Sequence, residues 1–346
     1  MPRIHKLDGL RGLFALFVVL FHLNINNAPT ALVNNFFVRE SYIFVDFFFI
    51  LSGYVISFTY NHQINSINGL KKFLLKRFIR LYPLLLFSTC MYWYFVHPQF
   101  DKQNISLALD TLLLTNATPI LGSELGMNYP SWSISSEMIS YIVFGVCSII
   151  AMHKNKTKLI ALITILCFGF LAYQQNYFLT GSFGCIRGLA CFNMGYLIFK
   201  IADQKINMPN WTEWALPLMI VGMMYNYHNQ VNSNMTIHLC TQFLIPICFA
   251  ISIIILIKTN GFLSSLLQSK PLLFLGKISY SVYLNQALVI GYGVPKFFKW
   301  IQFAHGDTKK TIAILLVLAS LILYSWVTQY LIERKMGKQL SKLWKA

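Results

Sequence analysis

The chain is poor in charge, and poorest in acid. Only 11% of its 346 residues are charged, and Asp and Glu together number 11. A soluble domain carries about 25% charged residues, so this chain has too few to cover a water-facing surface. It also lacks CxxC spacing. The seven cysteines lie mostly within apolar segments, which argues for core packing and against a disulfide framework or a zinc site. No polar stretch is long enough for a separate soluble domain, and there is no repeat or low-complexity tract. The N-terminal apolar run has no small-residue cleavage site, so it reads as a retained span and not a signal peptide.

What is present is apolar. Hydrophobic residues make up 56% of the chain, with 29 Phe and 18 Tyr, a composition suited to lipid contact and interfacial belts. Hydropathy and breakers predict an all-α, polytopic integral membrane protein of about ten transmembrane helices. The spans fall near 7–24, 42–60, 79–96, 133–152, 158–174, 182–200, 212–227, 238–257, 275–294 and 311–331. Residues 1–346 read as a single membrane-embedded domain with no fused soluble domain. The net charge of +17 would suit nucleic acid, but the basic residues sit at span ends, so no nucleic-acid partner is expected. With the N-terminus cytoplasmic, 21 of the 28 lysines and arginines fall inside, among them Arg3, Lys6, Lys154, Lys205 and Lys345. The positive-inside rule then makes both termini cytoplasmic. Lys296, Lys299, Lys309 and Lys310 are the exception, in an outer loop before the last span.

The first span, LDGLRGLFALFVVLFHL, carries Arg11 near its start and His22 near its end. Eleven residues are close to three helical turns, so both side chains share one face, roughly 16 Å apart along the axis. Ionisable residues inside spans are costly and mark functional paths by default. His22 lies near the outer end of the first span. Asp46, Glu137 and Arg187 lie near the outer starts of the second, fourth and sixth. A His beside a carboxylate can act as a general base, and a second carboxylate or Arg187 can hold a hydroxylated acceptor or neutralise developing charge. The alternative for this set is buried salt bridges that fix helix packing.

At the inner face, LKKFLLKRFIRLYP places Arg77 and Arg80 at i, i+3, where two guanidinium groups can converge on one anion. Ordinary inner-face anchoring is the competing reading, and it fits Lys71 and Lys72 better. Trp132 reads as an interfacial aromatic just before the polar Ser133–Glu137 turn. Ser52–Gly53, Gly181, Gly184 and Gly188 suit close helix packing. Asn285 and Gln286 read as cross-helix glue, and Glu333–Arg334 as a bridge at the tail.

Taken together these stretches resemble the acyltransferase-3 family of integral membrane acyltransferases. LDGLRGLFALFVVLFHL is similar to its first-helix block, Arg or Lys, ten residues, then His. VDFFFILSGYVI resembles the second-helix block, RFIRLYP the Arg-x-x-Arg block, and PSWSISSEM the Trp-Ser-x-x-x-Glu block. The resemblance implies transfer of an acyl group, commonly acetyl, from cytoplasmic acyl-CoA (acetyl-CoA) to a hydroxyl of a surface saccharide or lipid-linked glycan. It implies a bacterial inner membrane, and no metal. His22 is the expected catalytic residue, as base or acyl relay, with the carboxylates of Asp46 and Glu137. Arg11, Arg77 and Arg80 are expected on the donor side, and Trp132, Ser133 and Arg187 on the acceptor side. There are two departures: the ninth-span block of the family often holds a histidine near Asn285 and Gln286, and no fused extracytoplasmic hydrolase-like domain is expected after the last span. Oligomeric state is left open. The rival reading is an exporter of an envelope precursor, but no matching half-repeats with interrupted helices occur.

Overall fold

The computed structural model describes residues 4–23, 27–121, 125–151, 155–202, 204, 207–230 and 235–343. Arg3, Lys154, Lys205 and Lys345 lie outside the described residues. A long helix stands at each of the ten expected spans, and there is no strand among the described residues. The helices are α1 (His5–Phe21), α2 (Phe44–Tyr60), α3 (Ile67–Val96), α4 (Trp132–Ile150), α5 (Lys156–Tyr173) and α6 (Gly184–Ala202). They continue as α7 (Ala215–Gln230), α8 (Met235–Lys258), α9 (Lys270–Leu288) and α10 (Gly306–Thr328).

Among the described residues, seven helical stretches, containing α2, α4, α5, α6, α8, α9 and α10, are long and apolar enough to cross a membrane. The other three fall short for physical reasons. α1 and α7 have 17 and 16 helical residues, just under the length a bilayer core asks for. α3 has 30 residues, but Lys71, Lys72, Lys76, Arg77 and Arg80 occupy its first half. The basic stretch that reads as a flank of the third span is therefore part of the same helix. Ser66 starts that helix by accepting from the Gly69 N–H at 3.2 Å, a standard N-cap, and Pro83 sits within it.

Two helix pairs organise the bundle, and glycine sets both. A Cβ on Gly53 of α2 would overlap the Phe192 backbone of α6, and one on Gly12 of α1 would overlap the Gly276 backbone of α9. Small residues let helix backbones approach where lipid supplies no hydrophobic drive. α1 and α9 run parallel and stay together above that crossing. Val19 and Val282 belong to one apolar cluster, and Leu23 and Val289 to another. Phenylalanines fill the space between α1, α2 and α8, where Phe14 stacks on Phe44 at 3.9 Å with Phe249 beside them.

Candidate active site

A cavity of about 140 Å³ opens between α1, α2, α3, α4 and α9; its polar lining includes Arg11, Arg77, Arg80, Ser52, Glu137 and Tyr141. Each of these side chains is placed by its helix. Glu137 and Tyr141 are i, i+4 on α4 and so share a face. The Glu137 carboxylate accepts from the Tyr141 hydroxyl and from Ser52 of α2. Arg11 is anchored across the α1–α9 contact: its Nε donates to Ser279 Oγ at 2.9 Å and its Nη2 to the Gly276 carbonyl at 2.8 Å. Asp8 lies 3.3 Å from the same guanidinium.

Arg77 is buried, with its guanidinium 4.8 Å from the Tyr60 ring centre and 6.0 Å from that of Tyr141. The aromatic faces favour the cation, yet the buried Nε has no hydrogen-bond partner among the described residues. Arg80, one turn on, is exposed into the cavity and faces Glu137, Glu333, Tyr141 and Tyr280. Glu333 stands on a π-helical segment, Gln329–Met336. It takes a long 3.4 Å hydrogen bond from Ser281 and faces Arg80 and Arg11. The tail bridge to Arg334 expected from the sequence does not form; Glu333 turns inward to the arginines instead.

The outer half is built differently. Asp46 is fully buried and committed: Arg187 Nε donates to Oδ1 at 2.7 Å and the Tyr177 hydroxyl to Oδ2 at 3.0 Å. Arg187 is also boxed by rings, with Phe178 at 4.7 Å and Trp132 at 5.6 Å. This pair joins α2 to α6, and its low exposure makes breaking either side costly. His22 caps the end of α1, with its ring 4.7 Å from that of Tyr129; its backbone N–H closes the last turn on Val18 and Val19, while the ring has no hydrogen-bond partner among the described residues. Ser133 lines the cavity, donating to the Pro130 carbonyl at 3.1 Å.

Of the sequence-derived residues, the cavity gathers Arg11, Arg77, Arg80, Ser133 and Glu137. Asp46, Arg187 and Trp132 form a second group, and His22 stands apart from both. The four outer ionisable residues thus do not meet in one cluster. Sequence reasoning missed Tyr141, Ser279, Tyr280 and Tyr283, which also line the cavity, and Tyr177. The i, i+4 relation to Glu137 would have found Tyr141. Tyr177, 131 positions from Asp46 in the chain, offered no local signal.

The polytopic helical bundle thus encloses an arginine-rich cavity with a carboxylate at its side. The family profile described as "Acyltransferase domain", that of the acyltransferase-3 family, matches residues 4–330. The chain therefore belongs to that family and is an integral-membrane acyltransferase. It is 26% identical over 331 residues to the putative peptidoglycan O-acetyltransferase YrhL of Bacillus subtilis (strain 168), covering 84% of this chain and 49% of that one. It is 26% identical over 347 residues to the putative membrane-bound transacylase BcsY of Komagataeibacter xylinus, covering 93% and 81%. Protein 2 in the picA locus of Rhizobium radiobacter is 32% identical over 165 residues, covering 41% and 81%. The chain thus spans about half the length of the Bacillus relative. No solved structure matches.

Proposed function

We propose that this enzyme takes an acyl group, acetyl, from acetyl-CoA at the cytoplasmic face of a bacterial inner membrane. It passes the group to a hydroxyl of a cell-envelope saccharide on the outer side. The observation that carries this reading is the cavity with Arg11, Arg77 and Arg80 on its wall and the Arg77 Nε left without an acceptor. A buried donor with no partner costs free energy unless a ligand supplies one, and phosphate oxygens suit guanidinium groups. The names of two relatives, an O-acetyltransferase and a transacylase, agree with acyl transfer to oxygen.

In the reaction, the acceptor hydroxyl oxygen bonds to the thioester carbonyl carbon and the carbon–sulfur bond breaks. The hydroxyl proton leaves through His22 and ends on the sulfur, giving the ester and free CoA thiol. His22 stands roughly 16 Å above Arg11 along α1. That separation equally suits a relay in which His22 carries the acyl group first and hands it outward. Glu137, held by Ser52 and Tyr141, sets the charge opposite Arg80. Asp46 and Arg187, with Trp132 against them, hold the outer ends of α2, α4 and α6 in place.

The test is sided. Inverted membrane vesicles, with the cytoplasmic face outward, should incorporate label from acetyl-CoA added to the bath, while sealed right-side-out vesicles should not. Incorporation only by the right-side-out preparation would overturn the assignment of the donor side.

A further inference from the structure

Gln286 is wholly buried, and neither its Nε2 nor its Oε1 has a hydrogen-bond partner among the described residues. Its neighbour Asn285 shows what a structural amide looks like here: it donates to Thr328 Oγ1 at 2.8 Å and binds α9 to α10. The sequence reads both as glue; Asn285 acts so through its Nδ2, although its Oδ1 is also unpartnered among the described residues, whereas neither end of the Gln286 amide is used. An unpartnered amide at membrane depth is costly; Asn193 on α6 shares that state, and a ligand or reacting group is one thing that relieves it.

Helix register says where that amide stands. The close contact of Gly12 with Gly276 fixes α1 against α9, and the two run parallel. His22 is ten residues beyond Gly12, and Gln286 ten beyond Gly276, so each lies about 15 Å above the crossing. Shared apolar clusters, one holding Val19 and Val282 and another holding Leu23 and Val289, keep the helices together over that distance. Azimuth agrees with height. Gln286 is seven residues, almost two full turns, beyond Ser279, which lines the cavity and binds Arg11. His22 is just over three turns beyond Arg11 on the matching stripe of α1. The 128–129 turn closes the same level: Asn128 Nδ2 donates to the Leu284 carbonyl at 3.3 Å, and Tyr129 packs on His22.

We infer that Gln286 is a catalytic residue, whose Nε2 donates a hydrogen bond to the acyl carbonyl oxygen as it gains negative charge. This rests on the reading of His22 given above. As the nucleophile, acceptor oxygen or imidazole nitrogen, bonds to the carbonyl carbon, the carbonyl π electrons move onto oxygen. They return as the carbon–sulfur bond breaks. The amide neither gives up nor gains a proton. A preorganised donor in a dry site is worth most at this moment, because it needs no reorganisation.

The test compares Gln286→Met with wild type in initial rates of acetyl transfer from labelled acetyl-CoA, in membranes that carry the acceptor. Methionine keeps the volume and removes an unpaired amide, so the variant should remain folded with unaltered or higher thermal stability in detergent. The expected result is a kcat lower by about 10²–10³-fold with KM for acetyl-CoA within about twofold. Should Gln286→Met not fold, Gln286→Leu also removes the donor without introducing a buried charge, and the same loss of kcat is expected. A folded variant with kcat near wild type, or a change confined to KM, overturns the assignment. If His22→Ala is inactive while Gln286→Met is fully active, this inference fails and the proposed function stands. If folded wild type transfers nothing from acetyl-CoA, both fall together.

Discussion

At the scale of single residues, acyl transfer as proposed above would divide the polar groups into those that grip a donor and those that hold the protein together. Arg77 and Arg80 belong to the first kind. Each sits one turn from the other on α3, and Arg77 keeps a buried donor unspent. Arg77→Ala or Arg80→Ala should raise KM for acetyl-CoA about tenfold or more, the effect of losing a charge-assisted hydrogen bond, and leave acceptor dependence nearly unaltered. Initial-rate measurements against each substrate check this, and an unmoved donor KM would contradict it. The i, i+3 spacing made these two residues legible in the sequence. Asp46 and Arg187 were legible as buried charges but not as each other's partner, because nothing local ties position 46 to position 187.

At the scale of elements, the ends of helices are tied by polar knots that hydropathy cannot reveal. Glu213, in the turn before α7, accepts from the Gly261 N–H at 2.7 Å, the Ser264 N–H at 3.0 Å and the Ser264 hydroxyl at 2.6 Å. Lys6, at the start of α1, reaches the Thr259 carbonyl and the Asn260 side chain at 3.0 Å. Three separate elements are thereby joined at one level. Burial alone would raise the Glu213 pKa, but the Ser264 hydroxyl and the Gly261 and Ser264 N–H groups outweigh it and hold it at about 2. A carboxyl depressed in the folded state stabilises above its unfolded value and loses that contribution as pH falls through the folded value. Glu213→Gln should therefore lower stability by about 1.5–3 kcal/mol at neutral pH, and the gap from wild type should close as pH drops from about 4.5 toward 2. Thermal melts in detergent across that range check it; a gap independent of pH would contradict it. The sequence placed Lys6 among simple inner-face charges, since its partner groups lie some 250 positions away.

At the scale of the whole molecule, hydropathy was enough to place all ten helices, because an apolar run in lipid has to satisfy its own backbone. It could not say which helices touch. That came from glycines at 12, 53 and 276, each of which meets another helix's backbone only in the folded bundle. The same limit explains the site: first-helix residues Arg11 and His22 were legible, while their counterparts on α9, Ser279 and Gln286, became visible only through the α1–α9 register. The continuous reach of α3 into the basic segment was hidden because charge masks a helix that hydropathy is used to find.

The central claim is that acyl transfer runs through His22. Label from acetyl-CoA should enter the envelope fraction of membranes holding the wild-type enzyme and be absent, at equal folded protein, with His22→Ala. Equal incorporation by a well-folded His22→Ala variant would contradict the claim.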